Sequence, residues 1–392
     1  MRKICIITGT RAEWGLLSPI AAALRSRPDT ELQLVVTNMH LDPAYGHTVD
    51  GIEAEGFSID ARVAMPPAGD SPEVTVKAMS VCMAGMAGAF GRLSPDLVVI
   101  LGDRTEMLAV AAAASVMRIP IAHLHGGEVS EGAVDDSIRH AITKLASLHL
   151  TSTDDYRRRV IQMGEVPGMV LNTGAIGVWN TLNVPDVPDD ELIGRIGFLP
   201  DRSTVMATYH PATADDDAAP AERFAQLLMA LDSHIDAGGK VVMSYPNNDA
   251  RGGDLIGMIR RWADKHPDSV CAVPSLGMKF YLATVRRCGA VVGNSSSGII
   301  EVPSLGVPTL DIGMRQRGRS AAASVIHCGD SAGEISRALA EVLSPEAQAK
   351  ARAVSNPYYR PDTLKLIVDA LCDTPLEALR HKHFHDIPFT AI

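Results

Sequence analysis

The chain has 392 residues, of which 46% are hydrophobic and 4% aromatic, with 33 glycines and a formal net charge of -10 at pH 7. This length exceeds what one hydrophobic core usually supports, and the composition is typical of α/β proteins with buried parallel strands, so we expect two α/β domains. The acidic balance argues against nucleic acid or an anionic membrane as a partner, but it leaves room for a small anionic ligand.

The six cysteines are scattered without a C-x-x-C pair, which is typical of reduced thiols in the cytoplasm. The first apolar run is interrupted at residues 8–11 and is too short for a signal peptide, and we expect no segment long enough to span a membrane. No group of His, Cys, Asp and Glu has the spacing of a metal site, so we expect chemistry without a metal ion or other cofactor. The sequence thus predicts a cytoplasmic protein.

A polar turn follows the first predicted strand. Residues 3–8 (KICIIT) form this strand, and residues 9–11 (GTR) lead from it into a helix. The first N–H groups of a helix have no partner within it, so the glycine turn is a natural anion site, where Arg11 can pair with a phosphate or carboxylate. After a second strand, LQLVVT, a long Ala/Gly/Met helix over residues 73–93 indicates packing rather than a cofactor site.

The next strand, residues 96–101 (DLVVIL), ends in Gly102, Asp103 and Arg104 before an Ala-rich helix. This places a carboxylate and a guanidinium at the carboxyl end of a strand, where ligands bind in open α/β sheets. Judged alone, Asp103 is explained as well by capping the helix as by a role in catalysis.

The most polar strand end lies within residues 119–140 (IPIAHLHGGEVSEGAVDDSIRH). An apolar strand passes into a helix through two glycines, which allow positive φ and the close approach of a ligand. The segment carries a dense set of acids, bases and cations: His123, His125, Glu128, Glu131, Asp135, Asp136, Arg139 and His140. Residues four apart share a helix face, which pairs Asp135 with Arg139 and Asp136 with His140. The helix dipole explains one aspartate here, but the whole cluster indicates a site.

The boundaries of two Rossmann-like domains follow from composition. After a further strand, LHLTST, comes a helix with three adjacent arginines (residues 157–159), which we interpret as a solvated face. The segment MVLNTG closes a first domain over residues 1–178, which carries the acidic cluster and is expected to be joined by the C-terminal helix, residues 363–392. Residues 180–200, rich in Pro and Asp, are interpreted as a linker to a second domain over residues 179–362.

Polar strand ends recur in this second domain. The strand STVMATYHP ends at His210, KVVMSYP leads to Asn247, and AVVG leads to Ser295, Ser296 and Ser297 before a helix. Small hydroxyl side chains at a helix start offer donors for a diphosphate, although a serine-rich capping turn explains the same residues. Each half therefore predicts its own β/α sheet, and two such domains facing each other form a cleft for a ligand.

The motifs GTRAE, GDR, HGGE…DDSIRHAITK, YHP, YPNND, GNSSSG and GMRQRGR occur in this order from Gly9 to about Arg319. This order resembles the hydrolysing UDP-N-acetylglucosamine 2-epimerases of sialic- and legionaminic-acid biosynthesis, which have two Rossmann-like domains of the GT-B fold. The resemblance implies a small-molecule nucleotide-sugar substrate and a homodimer or homotetramer. The family's reaction removes UDP from C1 while a proton leaves C2, and water then adds to the glycal to give the free 2-epimer.

The resemblance also implies roles for residues at matching positions. Those matched to catalysis are Asp103, Asp135, Asp136, Arg139 and His210, and those matched to nucleotide binding are Arg11, Arg104, Ser295, Ser296, Glu301 and Arg315, to which we add Asn247 and Ser297. Asp103 and Asp135 are assigned to proton transfer or to stabilising the oxocarbenium ion. His210 and Arg139 are assigned to the leaving diphosphate, and Glu301 to the ribose hydroxyls.

Two departures from the family pattern affect the acidic motif. Well-studied sialic-acid members have His-Ile-Glu-Gly-Gly-Glu, and this chain has His125 in place of their first glutamate, which is implicated in catalysis. It also has one extra residue before Asp135, which brings in Glu131. Either His125 replaces the glutamate as base, or Glu128 or Glu131 does. The HGGE form resembles the legionaminic-type branch, so a UDP-2,4-diacetamido-trideoxyhexose or GDP-N-acetylglucosamine is an alternative to UDP-N-acetylglucosamine.

Three other functions stay open at this point. A non-hydrolysing 2-epimerase keeps the nucleotide on the sugar, but those enzymes carry a different acidic motif at this position. A GT-B glycosyltransferase needs an acceptor and releases no free sugar from the donor alone. A nucleotide-sugar binding protein does not need the proton-transfer groups that this chain retains: Asp103, Asp135, Asp136 and His210.

Overall fold

The computed structural model describes residues 1–66, 71–130, 134–211, 219–246 and 252–388. These residues form two compact units. The first unit comprises Met1–Glu128, Val134–Ile176 and the chain from Arg360 onward, and the second comprises Gly177–Tyr359 together with Val129 and Ser130.

The first unit is built on a seven-stranded sheet. Its strands are β1 (Arg2–Thr8), β2 (Thr30–Thr37), β3 (Ala61–Val63), β4 (Leu97–Leu101), β5 (Ile121–Leu124), β6 (Leu148–Thr151) and β7 (Val170–Asn172). All neighbours pair in parallel, in the order β3-β2-β1-β4-β5-β6-β7. All five residues of β4 are buried, as its run of branched apolar side chains requires, because a parallel strand is covered on both faces.

Helices alternate with these strands as the sequence predicts. They are α1 (Arg11–Arg25), α2 (Val49–Ala54), α3 (Pro72–Leu93), α4 (Thr105–Val116), α5 (Val134–Leu145) and α6 (Asp154–Gln162), with short 3-10 helices at Asn38–Leu41, Pro43–Tyr45 and Pro167–Met169. The sequence analysis missed β3 and α2, since elements of three and six residues are too short to show a hydrophobic period.

Helix α3 has the length and apolar composition of a membrane-spanning helix, so the expectation that no segment is long enough was wrong. Its buried residues recur at helical spacing and contribute to the core of the first unit: Ala78, Cys82, Met86, Ala89 and Phe90. The interpretation of this helix as a packing element is therefore confirmed.

The second unit is built on a six-stranded parallel sheet. Its strands are β8 (Thr204–Thr208), β9 (Lys240–Ser244), β10 (Val270–Val273), β11 (Ala290–Gly293), β12 (Thr309–Ile312) and β13 (Val325–Cys328), in the order β10-β9-β8-β11-β12-β13. Counted from its own first strand, this order repeats that of the first six strands of the first unit, which has β7 in addition. In each sheet the direction in which successive strands are added therefore reverses next to the first strand, between β1 and β4 or between β8 and β11. Doubly wound sheets bind ligands at such switch points.

The helices of this part of the chain are α7 (Ile176–Asn183), α8 (Asp189–Ile196), α9 (Ala219–Asp236), α10 (Gly252–Ala263), α11 (Gly277–Arg287), α12 (Ser296–Ile300), α13 (Ala332–Val342) and α14 (Pro345–Ala353), with a 3-10 helix at Val302–Leu305. The interpretation of residues 180–200 as a linker was wrong, because α8 lies within them. Asp189 and Asp190 occupy its first turn, and Leu192 and Ile196 contribute to the core of the second unit.

After α14 the chain returns to the first unit as α15 (Thr363–Asp373) and α16 (Leu376–Arg380). Helix α15 contacts α1, and the Arg2 guanidinium donates to the carbonyl oxygen of Leu371 (2.6 Å). Beyond α16, Lys382 Nζ lies 2.8 Å from Oε2 of Glu165, which is nearly buried, and the His385 N–H donates to the Gly164 carbonyl oxygen (2.9 Å). These contacts hold the returning segment onto the first unit.

Candidate functional site

The turn after β1 is closed by hydrogen bonds within the chain. Glu13, which is 5% exposed, accepts at Oε2 from the N–H groups of Gly9 (2.7 Å) and Thr10 (3.1 Å). The Glu13 N–H donates to Thr10 Oγ1 (3.2 Å), which completes a capping box at the start of α1. The prediction that the N–H groups of this turn are open to an anion is therefore wrong for these three residues. Arg11 lies exposed at the first position of α1.

The turn after β4 places Asp103 and Arg104 in different surroundings. Arg104 is the N-cap residue of α4, so the alternative that Asp103 caps this helix is wrong. Arg104 Nε donates to Oε1 of Glu106 (2.6 Å), whose side chain is fully buried, while 43% of the Arg104 side chain is exposed. A charge-assisted contact of this kind fixes the inner end of the arginine and leaves its outer end at the surface.

Arg139 is the centre of a charged cluster at the carboxyl ends of β4 and β5. Its side chain is 2% exposed and donates to Asp103 Oδ2, to Asp136 Oδ1 (3.3 Å) and to the Glu128 carbonyl oxygen (2.8 Å). A buried guanidinium requires such partners, and its planar fork holds them in a fixed geometry. The structure thus joins Asp103, which the sequence proposed from one strand end, to Asp136 and Arg139, which it proposed from the next. Asp135 lies exposed in the first turn of α5.

His125 and Glu128 form a second pair beside this cluster. His125 has a left-handed backbone conformation, with φ of 64°, and its Nδ1 lies 2.9 Å from Glu128 Oε1. The same oxygen accepts from Ser152 Oγ (2.7 Å), which follows β6. A carboxylate accepts hydrogen bonds, so Nδ1 is the donor in this pair. Nε2 is buried and has no hydrogen-bond partner among the described residues.

Two other histidines of the motif have different surroundings. His123 is fully buried, with Nε2 2.7 Å from the Gly102 carbonyl oxygen and Nδ1 3.2 Å from Thr143 Oγ1. Burial lowers the pKa of His123 to about 3, so it is neutral and ties β5 to the turn after β4. His140 Nε2 lies 3.5 Å from Asp136 Oδ2, and burial lowers its pKa as well.

The arginine run of α6 is not the solvated face that the sequence predicted. Arg159 Nη1 donates to the Gly127 carbonyl oxygen (2.5 Å), and Arg157 Nε donates to that of Val170 (2.8 Å). Arg158 alone of the three keeps a largely exposed side chain, at 71%. Arg159 thus holds the turn that carries His125. The sequence does not predict this contact, because every residue has a backbone carbonyl and none is marked as the acceptor.

At the switch point of the second unit, the Asn294 side chain and the His210 backbone form a pair of hydrogen bonds between neutral groups. The His210 N–H donates to Asn294 Oδ1 (2.7 Å), and Asn294 Nδ2 donates back to the His210 carbonyl oxygen (2.8 Å). Arg315 Nη1 (3.1 Å) and Gln316 Nε2 (2.8 Å) donate to the Asn294 carbonyl oxygen. Burial first, and the Arg315 charge second, lower the pKa of the His210 side chain to about 3, so its imidazole is neutral. Asn294 was missed from sequence, although its place directly after a buried strand is a usable signal.

The serines after β11 form a hydroxyl cluster. Ser297 Oγ lies 2.7 Å from the Tyr281 hydroxyl and 3.3 Å from Ser295 Oγ. Ser295 is the N-cap residue of α12 but makes no capping hydrogen bond with its side chain, so the capping alternative does not explain it. Glu301 lies so close to Gly177 that a Cβ there would be 2.5 Å from its Oε1. Of the remaining candidates, Ser296 begins α12 half-buried, and Glu131 and Asn247 lie outside the described residues.

Comparison with known proteins shows the family to which the chain is similar. The sequence model of the family described as UDP-N-acetylglucosamine 2-epimerase matches residues 22–372. The polysialic acid biosynthesis protein P7 of Escherichia coli is 36% identical, over 99% of this chain and 98% of its own. The GDP/UDP-N,N'-diacetylbacillosamine 2-epimerase (hydrolyzing) of Campylobacter jejuni is 34% identical, over 98% of this chain and 99% of its own.

The fold is also found among solved structures. UDP-GlcNAc 2-epimerase from Neisseria meningitidis, solved bound to UDP-GlcNAc, superposes with a TM-score of 0.78 at 17% identity, over 94% of this chain and 99% of that one. This likeness confirms the predicted fold class of two Rossmann-like domains of the GT-B type. Because the family match covers most of the chain and the relatives are similar along their whole lengths, the chain belongs to the UDP-N-acetylglucosamine 2-epimerase family, as its motifs indicate.

Proposed function

We propose that this chain is a hydrolysing 2-epimerase of a nucleoside-diphosphate 2-acetamido sugar. The nucleoside diphosphate leaves C1 as a proton leaves C2, and water adds to the resulting glycal, with hydroxyl at C1 and a proton on the opposite face of C2. The observation that carries this proposal is the cluster around Arg139, with the His125–Glu128 pair beside it. The name of the Campylobacter jejuni relative, which includes the hydrolysing reaction, supports the same class.

His125 is the group we assign to proton transfer at C2. A base for this weakly acidic proton needs a lone pair within reach of the substrate and a partner that orients it. His125 Nε2 has no hydrogen-bond partner among the described residues, and Glu128 holds Nδ1. In this assignment His125 takes the place of the family's first glutamate as the base, and the Glu128 carboxylate orients its imidazole.

Asp103 and Asp135 are assigned to the positive charge that develops at C1. Asp103 is 25% exposed, so its carboxylate is accessible from one side while Arg139 fixes the other. Arg139, at 2% exposure with its carboxylate partners in place, is assigned to holding Asp103 and Asp136 rather than to the diphosphate. His210, as a neutral imidazole, is assigned to the leaving group as a hydrogen-bond donor.

The nucleotide is assigned to the residues that match the family's pattern. Arg11 and Arg104 in the first unit offer exposed guanidinium groups for the diphosphate. In the second unit the candidates are Ser295, Ser296, Ser297, Glu301 and Arg315, and Asn247 is retained from the sequence. Glu301 is assigned to the ribose hydroxyls, because a carboxylate accepts hydrogen bonds from hydroxyl groups.

Assembly and location complete the proposal. We expect a cytoplasmic homodimer or homotetramer. Apolar side chains on the outer side of α3 support the assembly: Val74, Val76, Val81 and Met83 are 40% to 65% exposed, and Val116 at the end of the neighbouring α4 is 85% exposed. Light scattering on the purified protein tests this, and a monomer at micromolar concentration would contradict it.

The decisive experiment is incubation in D₂O with UDP-N-acetylglucosamine, GDP-N-acetylglucosamine or UDP-diacetylbacillosamine, followed by NMR. Free 2-epimer with deuterium at C2 and a released nucleoside diphosphate is the expected result, and it also identifies the nucleotide. An epimer still attached to its nucleotide would assign the non-hydrolysing reaction. Absence of turnover with all three substrates would overturn the proposal.

A further inference from the structure

Two buried carboxylates meet at the switch point of the first unit, on either side of Gly9. Glu13 Oε2 accepts from the Gly9 N–H at 2.7 Å, and a Cβ added to Gly9 would lie 2.6 Å from Glu106 Oε1. The absence of a side chain at Gly9 is thus what lets the Glu106 carboxylate approach this turn. Helix capping accounts for Glu13, but it does not account for Glu106, which is fully buried and paired with the part-exposed Arg104.

The two carboxylates have unequal partners. Glu106 accepts from Arg104 Nε (2.6 Å) at Oε1 and from Thr105 Oγ1 (3.4 Å) at Oε2. Glu13 accepts two backbone N–H groups at Oε2, while its Oε1 is buried with no hydrogen-bond partner among the described residues. Burial, and then the charge of Glu106, raise the pKa of Glu13 to about 8. Glu13 is therefore mostly protonated at neutral pH, and Glu106 Oε1 is the acceptor for Arg104 Nε.

We propose that Glu106, supported by Glu13, is a positioning residue that fixes the Arg104 guanidinium for the diphosphate of the nucleotide sugar. The inference rests on the proposed function, since it assigns Arg104 to that diphosphate. Arg104 is a long side chain with many rotamers, and an unrestrained guanidinium loses that freedom when it binds an anion. Holding Nε at 2.6 Å before binding removes part of this cost and presents the outer nitrogens in one orientation.

Ionisation of Glu13 would oppose this arrangement. Among the residues that the structure describes, the other titratable groups that act on the pair are Arg104, His40 after β2 and Cys82 on α3. Burial lowers the pKa of His40 to about 4 and raises that of Cys82 to about 11, so both stay neutral near pH 8. When Glu13 ionises above pH 8, a second negative charge joins Glu106 and weakens the attraction of Arg104 for an anion. KM for the nucleotide sugar is therefore expected to rise above pH 8 while kcat changes less.

The test compares Glu106→Gln, Arg104→Ala and the double variant with the wild type, and uses the exposed Glu73→Gln of α3 as control. Calorimetry with UDP and with GDP gives Kd without turnover, and steady-state kinetics give KM and kcat. Glu106→Gln is expected to raise Kd and KM roughly tenfold, with kcat within about twofold. In the Arg104→Ala background the same change is expected to have no further effect. Glu73→Gln is expected to match the wild type.

Additive effects of Glu106→Gln and Arg104→Ala would overturn the inference, and so would a loss of kcat in Glu106→Gln at unchanged KM. In either case, turnover of a nucleotide sugar by the wild type would still support the proposed function. A wild type that binds neither nucleotide and turns over no nucleotide sugar would overturn both. If Glu106→Gln does not fold, the pH profile decides: the rise in wild-type KM above pH 8 is expected to disappear in Glu13→Gln. A profile that is the same in the wild type and Glu13→Gln would also overturn the inference.

Discussion

The two sheets share the order of six strands but have different chemistry at their switch points. In the first unit, two carboxylates and a guanidinium meet beside Gly9, and a second ionic cluster around Arg139 lies at the adjacent strand ends. In the second unit, a reciprocal amide pair between Asn294 and the His210 backbone joins the corresponding strands, and neutral hydroxyl groups follow. Topology thus determines where the polar groups collect, whereas residue type determines what they can do there.

The difference bears on the roles that we propose, in which the groups for proton transfer and cation stabilisation (His125, Asp103 and Asp135) all lie in the first unit, whereas groups for the nucleotide come from both units. Proton transfer and stabilisation of a cation need ionisable groups, and burying such groups requires partners for every charge. Binding a nucleotide needs hydrogen-bond donors and acceptors in fixed positions, which neutral side chains supply without the desolvation cost of a charge. The following substitutions test whether activity, stability and binding separate along this line.

The largest effect is expected for His125→Gln in the first unit. It removes the proposed base, so kcat should fall about 10²- to 10⁴-fold, the contribution typical of general acid–base catalysis. Deuterium uptake at C2 should fall in parallel, while the Kd for the nucleoside diphosphate stays near that of the wild type. His47→Gln, at an exposed histidine of the same unit, is the matched control. Deuterium uptake at the wild-type level in His125→Gln would show that another residue is the base at C2.

A substitution of Arg139 is expected to act on stability as well as activity. Arg139→Met leaves the charges of Asp103 and Asp136 without their partner, and breaking a buried ion pair in this way costs about 3–5 kcal/mol. Denaturant unfolding measures this cost. Arg158→Met on α6 removes a guanidinium whose side chain is 71% exposed, and it should change stability by less than about 1 kcal/mol. Equal stability of the two variants would contradict the buried cluster.

A smaller effect is expected in the second unit. Asn294→Ala removes both hydrogen bonds to the His210 backbone, and the unsatisfied groups cost about 1–3 kcal/mol. Because these groups hold the second switch point, KM and the Kd for the nucleoside diphosphate should rise more than kcat falls. Asn183→Ala, at an exposed amide of α7, serves as control. A fall in kcat at unchanged KM would show that this switch point takes part in the chemistry.

Strand ends were accessible from the sequence, because an apolar run followed by glycine and polar residues marks them directly. On this basis Asp103 and His125 were identified as candidates, and the structure places each just after the end of its strand. The pairing of Asp103 was not accessible. Asp103 and Arg139 are 36 residues apart, and their contact depends on the parallel neighbours β4 and β5 and on the path of α5.

Buried charges were also hidden in the sequence. Glu13 and Glu106 each lie in the first turn of a helix, where an acidic residue is ordinary, so nothing in the sequence marks their burial. Likewise, Pro and Asp before α8 indicate a linker as well as a helix start. The deciding feature, the burial of Leu192 and Ile196, becomes visible only once the second core is formed.

The return of the chain to the first unit has a consequence for folding during translation. The second unit is continuous from Gly177 to Tyr359, so at the usual elongation speed the ribosome needs roughly ten to forty seconds to make it before α15 emerges. Throughout that interval α1 lacks the helix that packs on it in the finished protein, and its uncovered surface is open to chaperones or to other nascent chains. Substitutions of buried residues in α15, such as Ile367 or Leu371, should therefore lower the yield of folded protein in cells without touching the chemistry.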